Sequence, residues 1–246
     1  MIEVEICLNA DDLSLLKQNV QAARDGGAGR IELCAHMAQE GLTPEMQAMD
    51  VARQAFGQQG TLLVMVRPRA GDFCYDDNEL AQMQRSIQQA ADCGAGGVVL
   101  GCLRADATVD SAVLQTLTAQ AHQLGLKVTF HRAFDAVADP DTALDSLLDC
   151  GVDNVLSAGT PWGSGQAVVS GLGQLHRLME RAQGQIELVV GGGVNRTNVA
   201  GILAALPLQM GPLSVHSYSS VLDHTGAGQA RVSTDKVRQL VQACRP

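Results

Sequence analysis

Lys127-Val128-Thr129-Phe130-His131-Arg132-Ala133-Phe134-Asp135 is a short apolar run that ends abruptly in an imidazole, a guanidinium and a carboxylate. An apolar run of this length, bounded by breakers, suits a parallel strand buried on both faces. Gly125 opens it, and Asp139-Pro140 starts the helix that follows. Three polar groups therefore leave the C-terminal end of one buried strand together, the end at which parallel α/β folds bind ligands. A strand-end ion pair beside one core histidine is the plain alternative for a single cluster of this kind.

Outward from that run the same alternation repeats. Strands are expected over residues 4–8, 30–34, 61–66, 97–101, 154–157, 186–190 and 213–216. Between them lie helical segments with recognisable punctuation. Asp11 or Asp12 caps the first and Gly26-Gly27 stops it. Thr43-Pro44 reads as a cap followed by a first-turn proline. Asn195 reads as the cap of a helix running to Ala205, residues 166–181 as one helix and 217–232 as irregular. Eight strand–helix alternations in 246 residues are the arithmetic of an α/β single-domain (β/α)8 TIM barrel.

Composition narrows the function. A net charge of -9, a pI near 5.0 and 3% aromatic residues argue against a nucleic-acid partner, which wants a basic face. No polybasic stretch suits a membrane surface and no apolar run is long enough to span one. The acidic start, Met1-Ile2-Glu3-Val4-Glu5, lacks the bases of a signal peptide, so a cytoplasmic protein is expected. Seven widely spaced cysteines without a C-x-x-C form neither a disulfide framework nor a zinc ribbon.

Side chains alternate along a strand, so residues two apart share a face. Polar groups then pile up at one barrel mouth: Glu5 and Cys7; Glu32 and Cys34, with His36 beyond; Arg67 and Arg69; His131, Arg132 and Asp135; Ser157; and His216 and Ser217. Arg67, Arg69 and Arg132 are the expected partners of Glu5 and Glu32, because a buried charge needs a counter-charge. Gly191-Gly192-Gly193 before Asn195 resembles a backbone cradle for phosphate, or else only a tight turn. The three lysines, Lys17, Lys127 and Lys236, lie on helices or at the wrong end of a strand, which argues against Schiff-base chemistry. Cys7 and Cys34, on adjacent strands, suit either a soft ion such as Cu(I) or simple packing, with His36 or His131 the nearest imidazole expected.

Glu5-Ile6-Cys7, Arg30-Ile31-Glu32-Leu33-Cys34, Gly41-Leu42-Thr43-Pro44, the run from Arg67-Pro68-Arg69 through Gly71-Asp72-Phe73, Phe130-His131-Arg132-Ala133-Phe134-Asp135, Gly191-Gly192-Gly193-Val194 and Val215-His216-Ser217 resemble the CutC family over nearly the whole chain. The resemblance implies a cytoplasmic barrel concerned with copper homeostasis, commonly a homodimer, with Cu(I) held by Cys7 and Cys34. The loop Ser157-Ala158-Gly159 and its extension Thr160-Pro161-Trp162-Gly163 depart from the family pattern.

Two functions follow. One is Cu(I) binding or trafficking through the cysteine pair. The other is an enzyme, lyase-like, aldolase-like or isomerase, acting on a small anionic or phosphorylated metabolite. There Glu5 or Glu32 would be the base and His131 the acid or electrophile. Arg132 and Asp135 would complete the catalytic group. Arg67 and Arg132 would hold the anion and stabilise developing charge, and Arg69, Ser157, Gly192, Gly193, His216 and Ser217 would complete the anion site.

Overall fold

The eight expected strands close on one another. The computed structural model of the chain describes residues 2–58, 60–224 and 230–245. Strands β1 (Glu3–Asn9), β2 (Arg30–Cys34), β3 (Thr61–Met65), β4 (Gly97–Leu100), β5 (Lys127–Phe130), β6 (Asn154–Ser157), β7 (Glu187–Val190) and β8 (Leu213–Ser217) pair in chain order, and β8 returns to β1. Every pairing around the barrel is parallel. Helices α1 (Leu13–Gly26), α2 (Met46–Phe56), α3 (Asp77–Asp92), α4 (Ser111–Gln123), α5 (Pro140–Asp149), α6 (Leu172–Ala182), α7 (Val199–Ala205) and α8 (Thr234–Ala243) follow the strands in turn. This is the (β/α)8 barrel that the alternation predicts.

Local chemistry explains where the helices begin. The Asp12 carboxylate accepts the N–H of Ser14 at 3.0 Å and of Leu15 at 3.1 Å, satisfying donors that the first turn leaves open. Asp76 and Glu79 form a reciprocal capping box on α3. Asp139 caps α5 with Pro140 in the first turn, as expected.

Four local expectations change. Thr43 caps no helix: its hydroxyl accepts the Arg67 N–H at 2.9 Å and ties the loop after β2 to the end of β3, so α2 starts only at Met46. Asn195 closes an Asx turn on the N–H groups of Thr197 and Asn198, and α7 begins later, at Val199. The span 217–232 is not wholly irregular. It contains strands β9 (Leu222–His224) and β10 (Ala230–Val232), an antiparallel pair, and the Val232 N–H donates to Asn19 on α1 at 2.9 Å. A short helical turn, Val168–Ser170, precedes α6, which starts at Leu172 rather than at residue 166.

The apolar residues divide into two cores. Strand faces and helices share the larger one, while Cys7, Cys34, Leu63, Met65 and Val99 form a small separate cluster inside the barrel. Below that cluster the interior is ionic. Arg30, buried at the start of β2, stands 2.6 Å from a Glu5 oxygen and 2.9 Å from a Glu187 oxygen. It also donates to the Ser214 hydroxyl at 2.5 Å. Arg30 is therefore the partner of Glu5 that was expected among Arg67, Arg69 and Arg132. The register explains it: Glu5 and Arg30 are opposed on adjacent strands, so their side chains leave on the same face.

Candidate functional site

The site begins with two neighbouring registers. Cys7 opposes Glu32 across β1 and β2, and Asn9 opposes Cys34, so both sulfurs and the Glu32 carboxylate turn into the barrel. The Cys7 and Cys34 Sγ atoms lie 3.8 Å apart, and Cys34 Sγ lies 3.1 Å from Glu32 Oε1. On the other side of β1, His216 opposes Glu5. Its Nδ1 stands 2.6 Å from Glu5 Oε1 and 3.4 Å from Glu32 Oε2. One histidine thus links two carboxylates beside a thiol pair.

These groups form the floor of a cavity of about 260 Å³ at the C-terminal mouth. Cys7, Glu32, Cys34 and His216 line it from below, while Arg67, Phe73, His131, Arg132, Trp162 and Tyr218 line its walls. The His131 ring packs at 5.0 Å on Phe73, and the Arg132 guanidinium lies 5.1 Å from the Trp162 ring.

Burial and neighbours set the charge of each group. A hydrogen bond with Cys34, helped by His216, brings the Cys7 thiol down to about 6 against the cost of its burial. The same bond to Cys7, with burial, pushes Cys34 up, so one sulfur is a thiolate and the other a thiol at neutral pH. Burial, then the neighbouring Cys7 charge, raises Glu32 to about 8. Burial alone would also raise Glu5, but the His216 hydrogen bond and the Arg30 charge hold its pKa below the usual range. Burial opposes protonation of His216, yet Glu32, Cys7 and Glu5 around it keep its pKa well above the ordinary imidazole value. His131 is the opposite case: burial and the Arg67 charge drop it to about 3, so it is neutral. Its Nδ1 accepts the Ala133 N–H at 3.1 Å, which assigns the ring proton to Nε2, and that buried atom has no hydrogen-bond partner.

The other expected residues are partly at the cavity and partly committed elsewhere. Arg67 reaches the cavity wall, but its terminal nitrogens donate to the carbonyls of Gln39, Glu40, Gly41 and Gly71 and clamp two loops. Arg69 lies away from it, paired with Glu79 at 2.6 Å and Asp72 at 2.8 Å. Arg132 pairs with Asp135 at 2.7 Å, and Asp135 also accepts the Ser157 hydroxyl and the Ala158 N–H, tying the loops after β5 and β6 together. The Ser217 hydroxyl donates to the Val194 carbonyl at 3.0 Å. Gly192 and Gly193, at φ 86° and 95°, border a second depression shared with Arg132 and Trp162. Their N–H groups make no backbone hydrogen bond among the described residues.

The imidazole expected near the sulfurs was His36 or His131. It is His216: His36 is exposed and stands 3.7 Å from Asp11. Arg30 was missed although it sits two residues before Glu32 on one strand, the same alternation that grouped Glu32 with Cys34. Trp162, the one tryptophan of the chain, had no pattern to announce it.

Comparison with known proteins adds ancestry. The model of the CutC family matches residues 2–221. A family protein CutC of Bacteroides thetaiotaomicron is 39% identical over 209 residues, covering 84% of this chain and 78% of that one. The copper homeostasis protein cutC homolog of Homo sapiens is 39% identical over 200 residues, 81% of this chain and 68% of that one. The solved structure of a CutC protein from Streptococcus agalactiae superposes with a TM-score of 0.76 at 29% identity, covering 89% of this chain and 99% of that one. A native KDPGal structure superposes with a TM-score of 0.63 at 16% identity, covering 98% of this chain and 93% of that one, which shows a shared fold.

Proposed function

The chain belongs to the CutC family, a family with copper homeostasis proteins among its members, and from that premise we propose that it binds Cu(I) through Cys7 and Cys34. One observation carries the reading: two sulfurs 3.8 Å apart on the floor of a cavity at the barrel mouth. Thiolates are the soft ligands that Cu(I) prefers. The ion is cargo here. It arrives on a small thiol, Cys7 displaces that thiol, and Cys34 gives its proton to the departing sulfur as it closes on the metal. The imidazolium of His216 beside Cys7 offsets the negative charge of the pair. Seven free cysteines suit the reducing cytoplasm, and we place the protein there, as a homodimer by analogy with its family. Among the described residues no helix is long and apolar enough to cross a membrane.

The test is an anaerobic Cu(I) competition titration against a chromogenic chelator. The wild type is expected to bind one equivalent tightly, and Cys7→Ser with Cys34→Ser to lose it. Equal binding by both proteins would sink the copper reading.

A second reading rests on a different observation. The buried Nε2 of His131 and Nε of Arg67 both lack hydrogen-bond partners, and both residues line the cavity. Two such donors suit the oxygens of a small anionic metabolite. Glu32, with a pKa near 8, is the acid or base available at the cavity, because Glu5 is occupied by Arg30 and His216. Arg132, Gly192 and Gly193 would hold a distal anionic group. The reaction is a lyase-like, aldolase-like or isomerase step without an imine. Thermal stabilisation by phosphorylated sugars or keto acids that His131→Ala abolishes supports this reading, and no stabilisation by any of them removes it.

A further inference from the structure

In the loop after β7 the carbonyls are used and the N–H groups are not. Gly191 donates its N–H to the Ser157 carbonyl at 3.0 Å. Beyond it, the Gly192 carbonyl accepts the Val168 N–H at 2.8 Å, and the Gly193 carbonyl accepts Asn198 Nδ2 at 2.9 Å and Asn195 Nδ2 at 3.2 Å. The N–H groups of Gly192 and Gly193 make no backbone bond among the described residues, and both glycines line a depression of about 500 Å³.

Arg132 reaches the same place from the end of β5. Its Cζ lies 3.9 Å from where a Cβ on Gly192 would stand. Its Nε is committed to Asp135 at 2.7 Å, while among the described residues its two terminal nitrogens have no partner. The Asp135 carboxylate is in turn satisfied by the Ser157 hydroxyl at 2.5 Å and the Ala158 N–H at 3.1 Å, so the guanidinium is held with its fork free. Its carbon sits 5.1 Å from the Trp162 ring centre. Among the described residues Glu40 is the one carboxylate lining the depression, and it is an exposed side chain 4.0 Å from Arg67.

A guanidinium fork alone satisfies a flat carboxylate. Backbone N–H groups added from a second strand end suit an anion with three free oxygens. We propose that Gly192, Gly193 and Arg132 form a binding site for a phosphomonoester group, separate from the cavity floored by the thiols. Glu40, Arg132 and Trp162 line both spaces, so the two adjoin. Trp162 stands edge-on to Phe73 at 5.8 Å, and Phe73 packs on His131. A ligand with its phosphate at the glycines therefore extends past Trp162 toward His131. The phosphate site stands by itself; the placing of the ligand's other end rests on the enzymatic reading and narrows that reading to phosphorylated ligands.

Trp162 is the one tryptophan of the chain, so its emission reports on the site. The wild type is titrated with inorganic phosphate, glycerol 3-phosphate, glycerol and lactate at fixed ionic strength. Phosphate binding is measured in parallel by equilibrium dialysis with a radiolabel. Both phosphate probes are expected to saturate, and glycerol and lactate to give no response. Arg132→Gln is expected to weaken phosphate by about tenfold or more. Gly193→Ala keeps the guanidinium and sets a methyl 3.6 Å from the Ala167 Cβ at the depression, and is expected to weaken phosphate too. Arg196→Gln removes an equal charge outside the depression, where Arg196 bonds to Gln239, and should leave binding within about twofold. No saturable phosphate binding by the wild type, or equal binding by Arg132→Gln, overturns the proposal. So does lactate binding as tight as that of glycerol 3-phosphate. Stabilisation by a non-phosphorylated keto acid that His131→Ala abolishes, without phosphate binding, keeps the enzymatic reading and removes this site. Phosphate binding that His131→Ala leaves intact, with no metabolite lost on that substitution, keeps the site and removes the enzymatic reading.

Discussion

Glu5 and Arg30 are opposed across β1 and β2, and their charges meet 2.6 Å apart inside the barrel, with Glu5 wholly buried. Arg30 also serves Glu187 and Ser214, so one guanidinium links three strands besides its own.

Replacing Arg30 by Leu leaves buried carboxylate charge without its counter-charge. Such breakage costs about 3–5 kcal/mol. Urea unfolding of Arg30→Leu is expected to show a loss of that order, and Arg30→Leu with Glu5→Gln to recover part of it. A loss below about 1 kcal/mol would mean the pair is not the structural charge centre described here.

His131 makes stability depend on pH. Its folded pKa is about 3 while the unfolded imidazole titrates near 6.5, so the unfolded chain binds the extra proton. The contribution is complete above pH 6.5 and declines as pH falls toward 3, by about 1.4 kcal/mol per unit. Urea midpoints for wild type and His131→Gln, taken from pH 7 to pH 4.5, should converge as pH falls. Parallel curves would mean that the ring is protonated, or accessible, in the folded protein.

Gly192 and Gly193 separate strain from collision. A Cβ on Gly192 would lie 2.5 Å from the Ala158 Cβ, whereas one on Gly193 meets nothing nearer than 3.6 Å. Both have a left-handed backbone. Gly193→Ala is expected to cost about 1 kcal/mol for conformation alone, and Gly192→Ala about 1–3 kcal/mol more for overpacking. Equal melting points for the two variants would contradict this packing.

Cys7 should be the thiol that reacts first. Its pKa of about 6 makes it a thiolate at pH 7, while Cys93 and Cys244 are pushed by burial up to about 11. Brief iodoacetamide treatment with mass-spectrometric mapping is expected to label Cys7 ahead of both, with a rate that climbs as pH passes through 6. His216→Gln should move that midpoint upward. First labelling at Cys244 would show that the cavity does not expose the Cys7 sulfur.

Period-two alternation and capping residues made the barrel legible in the sequence. Strand β2 and strand β6 fall on the expected residues, because apolar runs with glycine and aspartate punctuation admit few other readings. The thiol pair, Glu32, His131 and His216 were legible as a group because strand ends in a barrel share one mouth. The contacts of the arginines were not. Arg67 reaches the cavity but donates to carbonyls of the loop after β2, and Arg69 turns away to Glu79 and Asp72; loop conformation leaves no periodic trace in a sequence.

The sequence by itself determined the strand order, the inward face of each strand and the list of ionisable groups at the mouth. Tertiary structure decided which of them touch. Closure of the barrel brings β8 against β1, so His216 meets Glu5 across 211 residues of chain, and only that contact places an imidazolium beside the thiol pair. Pattern is local, whereas the charge and reactivity of a buried group depend on neighbours that closure alone supplies.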